Sequence, residues 1–381
     1  MRQSLVFNLS KLKYPVLFDV PVLSQLVGLR GIFARASHIW PPTLPIQAHF
    51  LSFDPPIFCG QPSPKPFGAA HYFATRFPDE PFIFLYPITM SLERPIYALS
   101  FAAQYRRFRK AHPRARLIVM ANTKGEEQLL RGLGVVVHLA PQNMFVDESM
   151  CYPIPGRERR YDAIYNATLA PMKRHELARL LPSCAYVTKL FDHWPSRLKR
   201  EQRNEFVRAL PRGHAIINDI NEDGFAPMDH VQVNEAMASA HVGLCLSKLE
   251  GAMYASIEYL LAGLPVVSTR SKGGRDVFFH PETTLIVDDN PRAVQEGVAA
   301  MKARALPPEY VRATTLRLMT AERERFNIFI DQLRGHQIAR PDDRWSFSYY
   351  PKLRKVASLS NFEDQFTSSR RAAAIHKPNA T

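Results

Sequence analysis

Two glutamates eight residues apart could do chemistry in residues 245–274, which read CLSKLEGAMYASIEYLLAGLPVVSTRSKGG. Glu250 precedes a glycine, and Glu258 lies in the apolar helical pattern that follows. Glycine lets a ligand approach the backbone closely, and the free N–H groups at the start of a helix bind anions. We therefore expect a strand that ends near Ser247, a helix that begins at about Ala252, and a diphosphate bound between them. The groups predicted to bind it are the exposed backbone N–H groups of Gly251, Ala252, Met253 and Tyr254.

The two carboxylates suit hydroxyl groups better than phosphates, because a carboxylate accepts hydrogen bonds and repels another anion. Glu258, about two turns into the helix, is expected to tilt back and reach ribose hydroxyls above the helix N-terminus. Glu250, on the loop, is expected to accept from a second sugar beyond the phosphates. The pair predicts a nucleotide-sugar site, with the alternative that Glu250 is only a neighbour of the helix N-cap.

A parallel sheet would hold these residues together, because ligands bind at the carboxyl ends of strands in open parallel sheets. After residue 160 the chain alternates strand patterns with helix patterns, which predicts a doubly wound sheet. PMKRHELARLL is expected to be a helix with Pro171 in its first turn. Gly263 is expected to end the helix of Glu258 in the left-handed cap position. The strand patterns are YDAIYNA, AYVTKL, HAIINDI, VGLCLS, PVVST and TLIVDD.

The first half of the chain predicts a second α/β unit. RLIVMANT, KGEEQLLRGLG and VVVHLAP form a strand, helix, strand pattern, while the many prolines before them predict long irregular loops. CYPIPGRERR is the best linker. We therefore place an N-terminal acceptor-side domain at residues 1–152, a linker at 153–160, and a C-terminal nucleotide-sugar donor domain at 161–335. The tail at 336–381 is expected to pack back on the body first. Its last residues, from 367 onward, are expected to be disordered.

Composition narrows the class of protein. The chain has 381 residues, 46% of them hydrophobic, and no apolar run approaches the roughly 20 residues that cross a bilayer. No secretory signal stands at its start, so we predict a cytoplasmic protein. Four widely separated cysteines form no C-x-x-C pair, which argues against a metal cluster and favours buried thiols. No metal site and no cofactor are expected beyond the donor substrate.

The net charge of +14 favours acidic partners. The densest basic stretch is QYRRFRKAHPRAR, in which Arg106, Arg109 and Lys110 share one helix face. We expect it to make peripheral contact with an anionic inner membrane face, with Phe108 beside the headgroups. An acidic acceptor and a merely solvated face are the alternatives. No nucleic-acid module accompanies the charge, so no nucleic-acid partner is expected.

The run of Glu250, seven residues and Glu258, followed by AGLPVVST and GGRD, resembles the donor-site signature of group 1 glycosyltransferases. This is the retaining family-4 type with the GT-B fold, an α/β fold of two Rossmann-like doubly wound domains facing a cleft. The resemblance extends upstream, where YDAIYNATLAPMKRHELA is similar to the first strand and helix of the family's donor domain. It covers roughly residues 160–305.

The resemblance implies a role for each matching residue. Glu250 would contact the transferred sugar, Glu258 the ribose, and Lys173 the diphosphate, with Glu250 and Lys173 as the catalytic residues. Two departures from the family pattern stand out: Asn166-Ala167 replaces the usual Gly-Arg, and no glycine-rich acceptor loop opens the chain. Diphosphate binding would therefore depend on Lys173 and Arg174 together, and no acceptor residue carries over. The donor-binding set is Arg174, Gly251, Ala252, Met253, Tyr254 and Glu258.

The predicted activity is metal-independent, retaining transfer of a hexosyl or related sugar from a nucleotide diphosphate sugar to a saccharide or lipid-linked acceptor. Cell-surface polysaccharide or glycolipid synthesis is the expected setting. Two alternatives stay open: a non-catalytic nucleotide-sugar-binding scaffold of a polysaccharide assembly complex, and an epimerase or phosphorylase on the same fold. Lys173 and Arg174 also have a structural interpretation, in which they are solvated residues of an ordinary first helical turn and bind no diphosphate.

Overall fold

The computed structural model describes residues 45–46, 48–60, 67–191, 194–222, 224–335 and 357–375. The strands are β1 (Pro45–Ile46), β2 (Ala48–Phe53), β3 (Pro56–Gly60), β4 (Ile83–Pro87), β5 (Arg116–Ala121), β6 (Val137–Leu139), β7 (Tyr161–Asn166), β8 (Cys184–Val187), β9 (His214–Ile216), β10 (Ile220–Asn221), β11 (Gly224–Phe225), β12 (Ala240–Cys245), β13 (Val266–Thr269), β14 (Thr284–Val287) and β15 (Ala357–Ser358). The helices are α1 (Gly68–Arg76), α2 (Pro95–Ala111), α3 (Lys124–Gly132), α4 (Ser196–Ala209), α5 (His230–Ala238), α6 (Tyr254–Leu261), α7 (Pro291–Ala303), α8 (Pro308–Arg334) and α9 (Leu359–Ile375).

The chain divides into two compact units, one of Met1–Phe145 with Glu322–Thr381 and one of Val146–Ala321. The first contains a five-stranded sheet in the order β2-β3-β4-β5-β6, in which only the β2–β3 pair is antiparallel. The second contains a six-stranded sheet in the order β14-β13-β12-β7-β8-β9, parallel throughout. The predicted α/β class is confirmed, with one wholly parallel sheet and one that is parallel except for the β2–β3 pair. The domain limits at 152, 160 and 335 stay predictions.

Within residues 48–60 and 67–111, the prolines of the first unit do not produce the long irregular loops that the sequence predicts. Pro56 begins β3, Pro87 ends β4, and Pro95 occupies the first turn of α2. Each stands at an element boundary, where the missing N–H group removes no interior hydrogen bond. That expectation is wrong for this part of the chain. The prolines at 41, 42, 62, 64 and 66 lie outside the described residues.

Helix α9 completes the core of the first unit. Its Leu359, Phe362 and Phe366 are buried in a cluster with aromatic residues of β2 and β3 and with Phe77, which follows α1. On its polar side, Glu363 accepts a hydrogen bond from the Tyr72 hydroxyl at 2.6 Å. The helix continues through Ile375, so the disorder predicted from residue 367 onward is wrong up to that residue. Residues 340–356, the aromatic and basic part of the tail, lie outside the described residues.

Helix α2 carries the densest basic stretch on its outer face. Arg106, Arg107, Arg109 and Lys110 are exposed, whereas Tyr105 and Phe108 lie in the core of the first unit. Residues three apart share a helix face, so the two rings point together toward the sheet. The expectation that Phe108 reaches a headgroup boundary is therefore wrong. None of the helices in the described ranges combines the length and the apolar character that a membrane crossing requires.

The connection from β7 to β8 departs from the predicted helix. The PMKRHELARLL segment forms two short 3-10 turns, Pro171–Lys173 and His175–Ala178, separated by Arg174 in the left-handed conformation. A left-handed residue interrupts a right-handed helix. The segment therefore lies as a bent chain at the carboxyl end of β7. All four cysteines are buried and free, as predicted.

Candidate functional site

Three loops meet at the carboxyl ends of neighbouring strands in the second sheet. They follow β7, β12 and β13, which lie side by side. The backbone of Lys248 donates to the carbonyl of Met172 at 3.3 Å, and Glu250 donates to Lys272 at 3.0 Å. These bonds place the loop of Glu250 between the other two. This edge of a parallel sheet is where ligands bind in open α/β folds.

Lys173 and Glu250, predicted from the sequence as the catalytic residues, contact each other. The Lys173 ammonium forms an ion pair with Glu250 Oε1, and the two side chains are 17% and 9% exposed. The carbonyl of Lys173 accepts a hydrogen bond from the Tyr165 hydroxyl at 2.5 Å. A mostly buried charge is costly to leave unpaired, so each group neutralises the other.

Arg174 is held by protein acceptors rather than directed into solvent. Its guanidinium donates to the Leu246 carbonyl at 2.6 Å, the Thr269 hydroxyl at 2.7 Å and the Asp289 carboxylate at 2.7 Å. These partners lie just beyond β12, at the end of β13 and just beyond β14. Three of the five guanidinium N–H groups are thus used to join loop ends. Its predicted contact with the diphosphate stays a prediction.

The glycine pair after β13 supports the loop of Glu250 from below. Gly273 has φ 101°, a left-handed value, and a Cβ there would overlap the carbonyl oxygen of Glu250. The N–H of Gly274 donates to the Gly251 carbonyl at 2.6 Å. Only glycine permits both the dihedral and the close approach. The two loops are therefore packed backbone against backbone.

Arg275 is the largest fully buried side chain beneath this site, with 0% exposure. Its guanidinium donates to the carbonyls of Cys245, Ser247 and Thr269, and its charge is balanced by Asp276 at 2.8 Å. It therefore satisfies the backbone carbonyls that β12 and β13 leave free at their ends. Sequence analysis missed this role. The available signal was an arginine enclosed between GG and an aspartate.

Helix α6 begins at Tyr254, two residues later than predicted, because Met253 has φ 42°. Residues 251–253 therefore belong to a buried loop, and not to an exposed first turn. Glu258 lies four residues after the helix start, about one turn in rather than two. It is 3% exposed. The helix ends as predicted, with Gly263 left-handed and Leu264 donating to the Tyr259 carbonyl at 2.9 Å.

Tyr259 fixes the position of α6 on the sheet. Its buried hydroxyl accepts a hydrogen bond from the backbone N–H of Asn166, at the end of β7, at 2.5 Å. Its ring occupies the space that a Cβ on Gly243 would fill. Ser256 adds a second tie by donating to the carbonyl of Arg275 at 3.0 Å. These contacts determine where Glu258 stands.

His175 follows the basic pair and is buried among aromatic rings. Its ring lies 4.8 Å from that of Tyr165 and 5.4 Å from that of Phe206, measured between centroids. Burial, and secondarily the nearby charge of Lys173, lowers the pKa of His175 to about 3. The ring is therefore neutral at physiological pH. Within the described ranges, no three His, Cys, Asp or Glu side chains gather as metal ligands would.

Comparison with known proteins identifies the segment around the two glutamates. Residues 190–303 match the family described as glycosyl transferases group 1. This segment is therefore similar to the group 1 glycosyltransferases. Glu250 and Glu258 lie inside the glycosyltransferase segment, whereas Lys173 precedes it. The resemblance stated from the sequence is confirmed over this segment, and the α/β class with parallel strand pairing in both units agrees with the fold that the resemblance implies.

Solved structures similar to this chain include three with distant sequences. They are HepE (Alr3699) of Anabaena, in complex with UDP-glucose, with 14% identity, TM-score 0.45 and coverage of 71% of this chain and 74% of that one; sucrose-phosphate synthase of Thermosynechococcus elongatus, with 14% identity, TM-score 0.48 and coverage of 80% and 71%; and the C-terminal domain of the group 1 family protein LpcC of Francisella tularensis, with 13% identity, TM-score 0.36 and coverage of 46% and 97%. No curated protein matches the chain significantly.

Proposed function

We propose that this protein is a retaining glycosyltransferase that uses a nucleotide diphosphate sugar as donor. The observation that carries the proposal is the mostly buried ion pair at the carboxyl edge of the second sheet between Lys173, in the segment after β7, and Glu250, in the loop that leads into α6. A lysine that can exchange its carboxylate for a diphosphate is suited to a donor site. Glu258, on the same helix, supplies an acceptor for ribose hydroxyls.

In the proposed reaction, the bond between the anomeric carbon and the phosphate oxygen breaks, and its electron pair leaves with the diphosphate. A new bond forms from the anomeric carbon to the acceptor oxygen on the same face, and the proton of the acceptor hydroxyl passes to the departing phosphate oxygen. Lys173 would stabilise the charge that develops on the leaving diphosphate. When the Lys173 ammonium moves from Glu250 to the diphosphate, the Glu250 carboxylate would accept a hydrogen bond from a hydroxyl of the transferred sugar. No residue is assigned as a nucleophile.

A substitution at Lys173 tests the donor site. Lys173→Ala should weaken binding of the best nucleotide diphosphate in a thermal-shift screen, because specific binding stabilises the folded state by mass action. Lys302→Ala is the matched control: Lys302 also forms an ion pair, with Asp162 at 2.6 Å, but at the amino end of β7. The proposal fails if both variants bind nucleotide as the parent does. Transfer without nucleotide dependence would also contradict it.

Metal independence is part of the proposal, because Lys173 and the loop N–H groups would take the place of a divalent cation. We expect full transferase activity in excess chelator. Activity that is lost in chelator and restored by manganese or magnesium would contradict this. Product analysis in the same assay separates transfer from epimerisation of the donor and from phosphorolysis.

The acceptor is proposed to be a saccharide or a lipid-linked molecule bound mainly by the first unit, with cell-surface polysaccharide or glycolipid as product. The exposed cations of α2 would let the protein attach peripherally to the anionic cytoplasmic face of a membrane. A donor-binding scaffold without catalysis is the remaining alternative. It would bind nucleotide sugar yet transfer nothing to any acceptor.

A further inference from the structure

A pocket of about 400 Å³ opens beside the β7–β8 connection, away from the loop of Glu250. It lies between that connection, which is made of two short 3-10 turns, and α4. Leu169, Ala170 and Pro171 contribute one side, and the C-terminal half of α4 contributes the other. We call it the crossover pocket. Its volume lies in the range of small-molecule sites.

The floor of the crossover pocket is aromatic. Phe206 of α4 is half-buried and packs edge-on against Tyr186, with ring centroids 5.3 Å apart, and against His175 at 5.4 Å. The Nε2 atom of His175 is buried and makes no hydrogen bond within the described residues. The His175 ring is neutral, and its other nitrogen donates a hydrogen bond to the backbone of Ala167. Nε2 therefore carries no proton and can only accept a hydrogen bond. A ligand hydroxyl that reached it would supply the missing donor.

The rim of the crossover pocket is polar and carries one more negative than positive group. Glu176 and Glu205 supply two carboxylates, Arg179 a guanidinium and Gln202 an amide. No hydrogen bond or ion pair engages these four side chains within the described part of the chain, so their donors and acceptors are available. Two carboxylates beside one guanidinium repel a phosphate. A purely apolar ligand would leave the four polar groups desolvated without partners.

We propose that the crossover pocket binds a neutral saccharide. One face of a sugar ring is apolar and can cover the Phe206 ring, while its hydroxyl groups donate to the carboxylates and accept from Arg179 and Gln202. This site is separate from the donor site and does not depend on the proposed transferase activity. Its ligand would contact Ala170, which precedes the turn of Lys173, and Pro171, which begins that turn.

Ligand-observed NMR and calorimetry with glucose, galactose, N-acetylglucosamine, maltose and cellobiose test this proposal on the full chain. At least one probe should bind, and Arg179→Ala and Glu205→Gln should each weaken it about tenfold or more, as loss of a charge-assisted hydrogen bond does. Arg208→Ala and Glu201→Gln, on α4 but outside the pocket lining, should bind as the parent does. UDP and GDP binding should be the same in all variants, which separates this result from the fate of the donor site.

Three results would overturn the proposal. The first is that none of the neutral probes binds. The second is that glucose 6-phosphate binds more tightly than glucose, since the two rim carboxylates should exclude it. The third is that Glu250→Gln abolishes saccharide binding while Arg179→Ala spares it, which would assign the saccharide to the donor site. All substituted rim side chains are exposed, and circular dichroism checks that each variant is folded.

Discussion

At the residue scale, the site consists of charged side chains held almost out of solvent. Counted as whole residues, with backbone included, Glu250 and Glu258 are 7% and 3% exposed, and Arg275 is completely buried. Such groups are retained only where hydrogen bonds or opposite charges compensate their burial. Arg275 meets this condition with backbone carbonyls and Asp276, and Glu250 meets it with Lys173. Arg275 and Arg174 thus support the loops. Lys173, Glu250 and Glu258 are suited to contact a ligand.

The first prediction concerns Glu258. Glu258→Gln keeps the size of the side chain but replaces a charged acceptor with a neutral amide. Affinity for the best nucleotide should fall by about 1.5–3 kcal/mol, the range for hydrogen bonds to charged groups. Calorimetric titration measures the change. The control is Glu296→Gln, because Glu296 is an exposed residue of α7. Unchanged affinity would show that Glu258 does not hold the ribose.

The second prediction concerns pH. In the folded protein the pKa of His175 is lowered to about 3 by burial and by Lys173, against an ordinary value of about 6.5. Below pH 6.5 the unfolded chain therefore binds a proton that the folded chain does not, and stability falls as the pH decreases toward 3. His175→Gln should remove about 2 kcal/mol of the loss in unfolding free energy between pH 7 and pH 5.

Urea denaturation at the two pH values measures this difference. His230→Gln is the matched control, because His230 is exposed at the start of α5. If His175→Gln and the parent lose the same stability on acidification, His175 is protonated in the folded protein and its assigned environment is wrong.

At the element scale, α6 is the part of the site that the fold positions most tightly. Tyr259 ties it to β7, Ser256 ties it to the loop after β13, and Gly263 ends it with two backbone hydrogen bonds. The short α6 could not hold Glu258 in one place by its own helical propensity, since helices of this length are marginal in isolation. Tertiary contacts supply the order.

The third prediction follows from the packing of the two loops. Gly273→Ala should displace the loop of Glu250, because the added Cβ would overlap the Glu250 carbonyl and the dihedral disfavours a side chain. We expect a loss of more than about 1 kcal/mol in unfolding free energy, together with weaker nucleotide binding. Thermal denaturation and titration measure the two effects.

Gly132→Ala provides the comparison. Gly132 lies at the end of α3 in the first unit, with no atom within 4 Å of an added Cβ. This control should leave stability unchanged or raise it slightly. A Gly273→Ala variant as stable as Gly132→Ala would mean that the loops are not packed backbone against backbone.

At the scale of the whole molecule, nearly all of the net charge of +14 belongs to the first unit, which has 27 Lys and Arg against 14 Asp and Glu, while the second has 22 against 21. The exposed cations of α2 form a cluster within that first unit. With Tyr105 and Phe108 buried, α2 offers charge and no aromatic anchor. Any attachment to a membrane through this surface would be electrostatic and therefore sensitive to salt.

The fourth prediction tests that attachment. The protein should sediment with phosphatidylcholine vesicles that contain phosphatidylglycerol, less so as salt is added, because each basic residue near an anionic surface contributes about 1 kcal/mol. Changing Arg106, Arg107, Arg109 and Lys110 to glutamine should abolish the binding. The control changes Arg197, Arg200, Arg208 and Arg212, exposed in the second unit, to glutamine. Equal effects of both sets, or no binding by the parent at low salt, would remove the membrane from the proposal.

The sequence by itself determined the sheet strands of the second unit, the cap at Gly263 and the two glutamates. These are local properties: strand patterns are written in consecutive residues, and a glycine followed by Leu-Pro ends a helix wherever it lies. The family signature is likewise a local run of residues. For the same reason the strand, helix, strand pattern of β5, α3 and β6 was predictable.

Only the tertiary structure decided how those residues meet. Lys173 and Glu250 are 77 residues apart, and their ion pair exists because β7 and β12 are neighbours in a sheet whose strand order is not the chain order. The helix expected at PMKRHELARLL gave way to a bent segment, since Arg174 is bound by acceptors near three other strands. Burial of Arg275 and Phe108 likewise depends on distant elements. Contacts between residues far apart in the chain leave no periodic pattern in one sequence, and those contacts decide which charged groups remain free to bind a ligand.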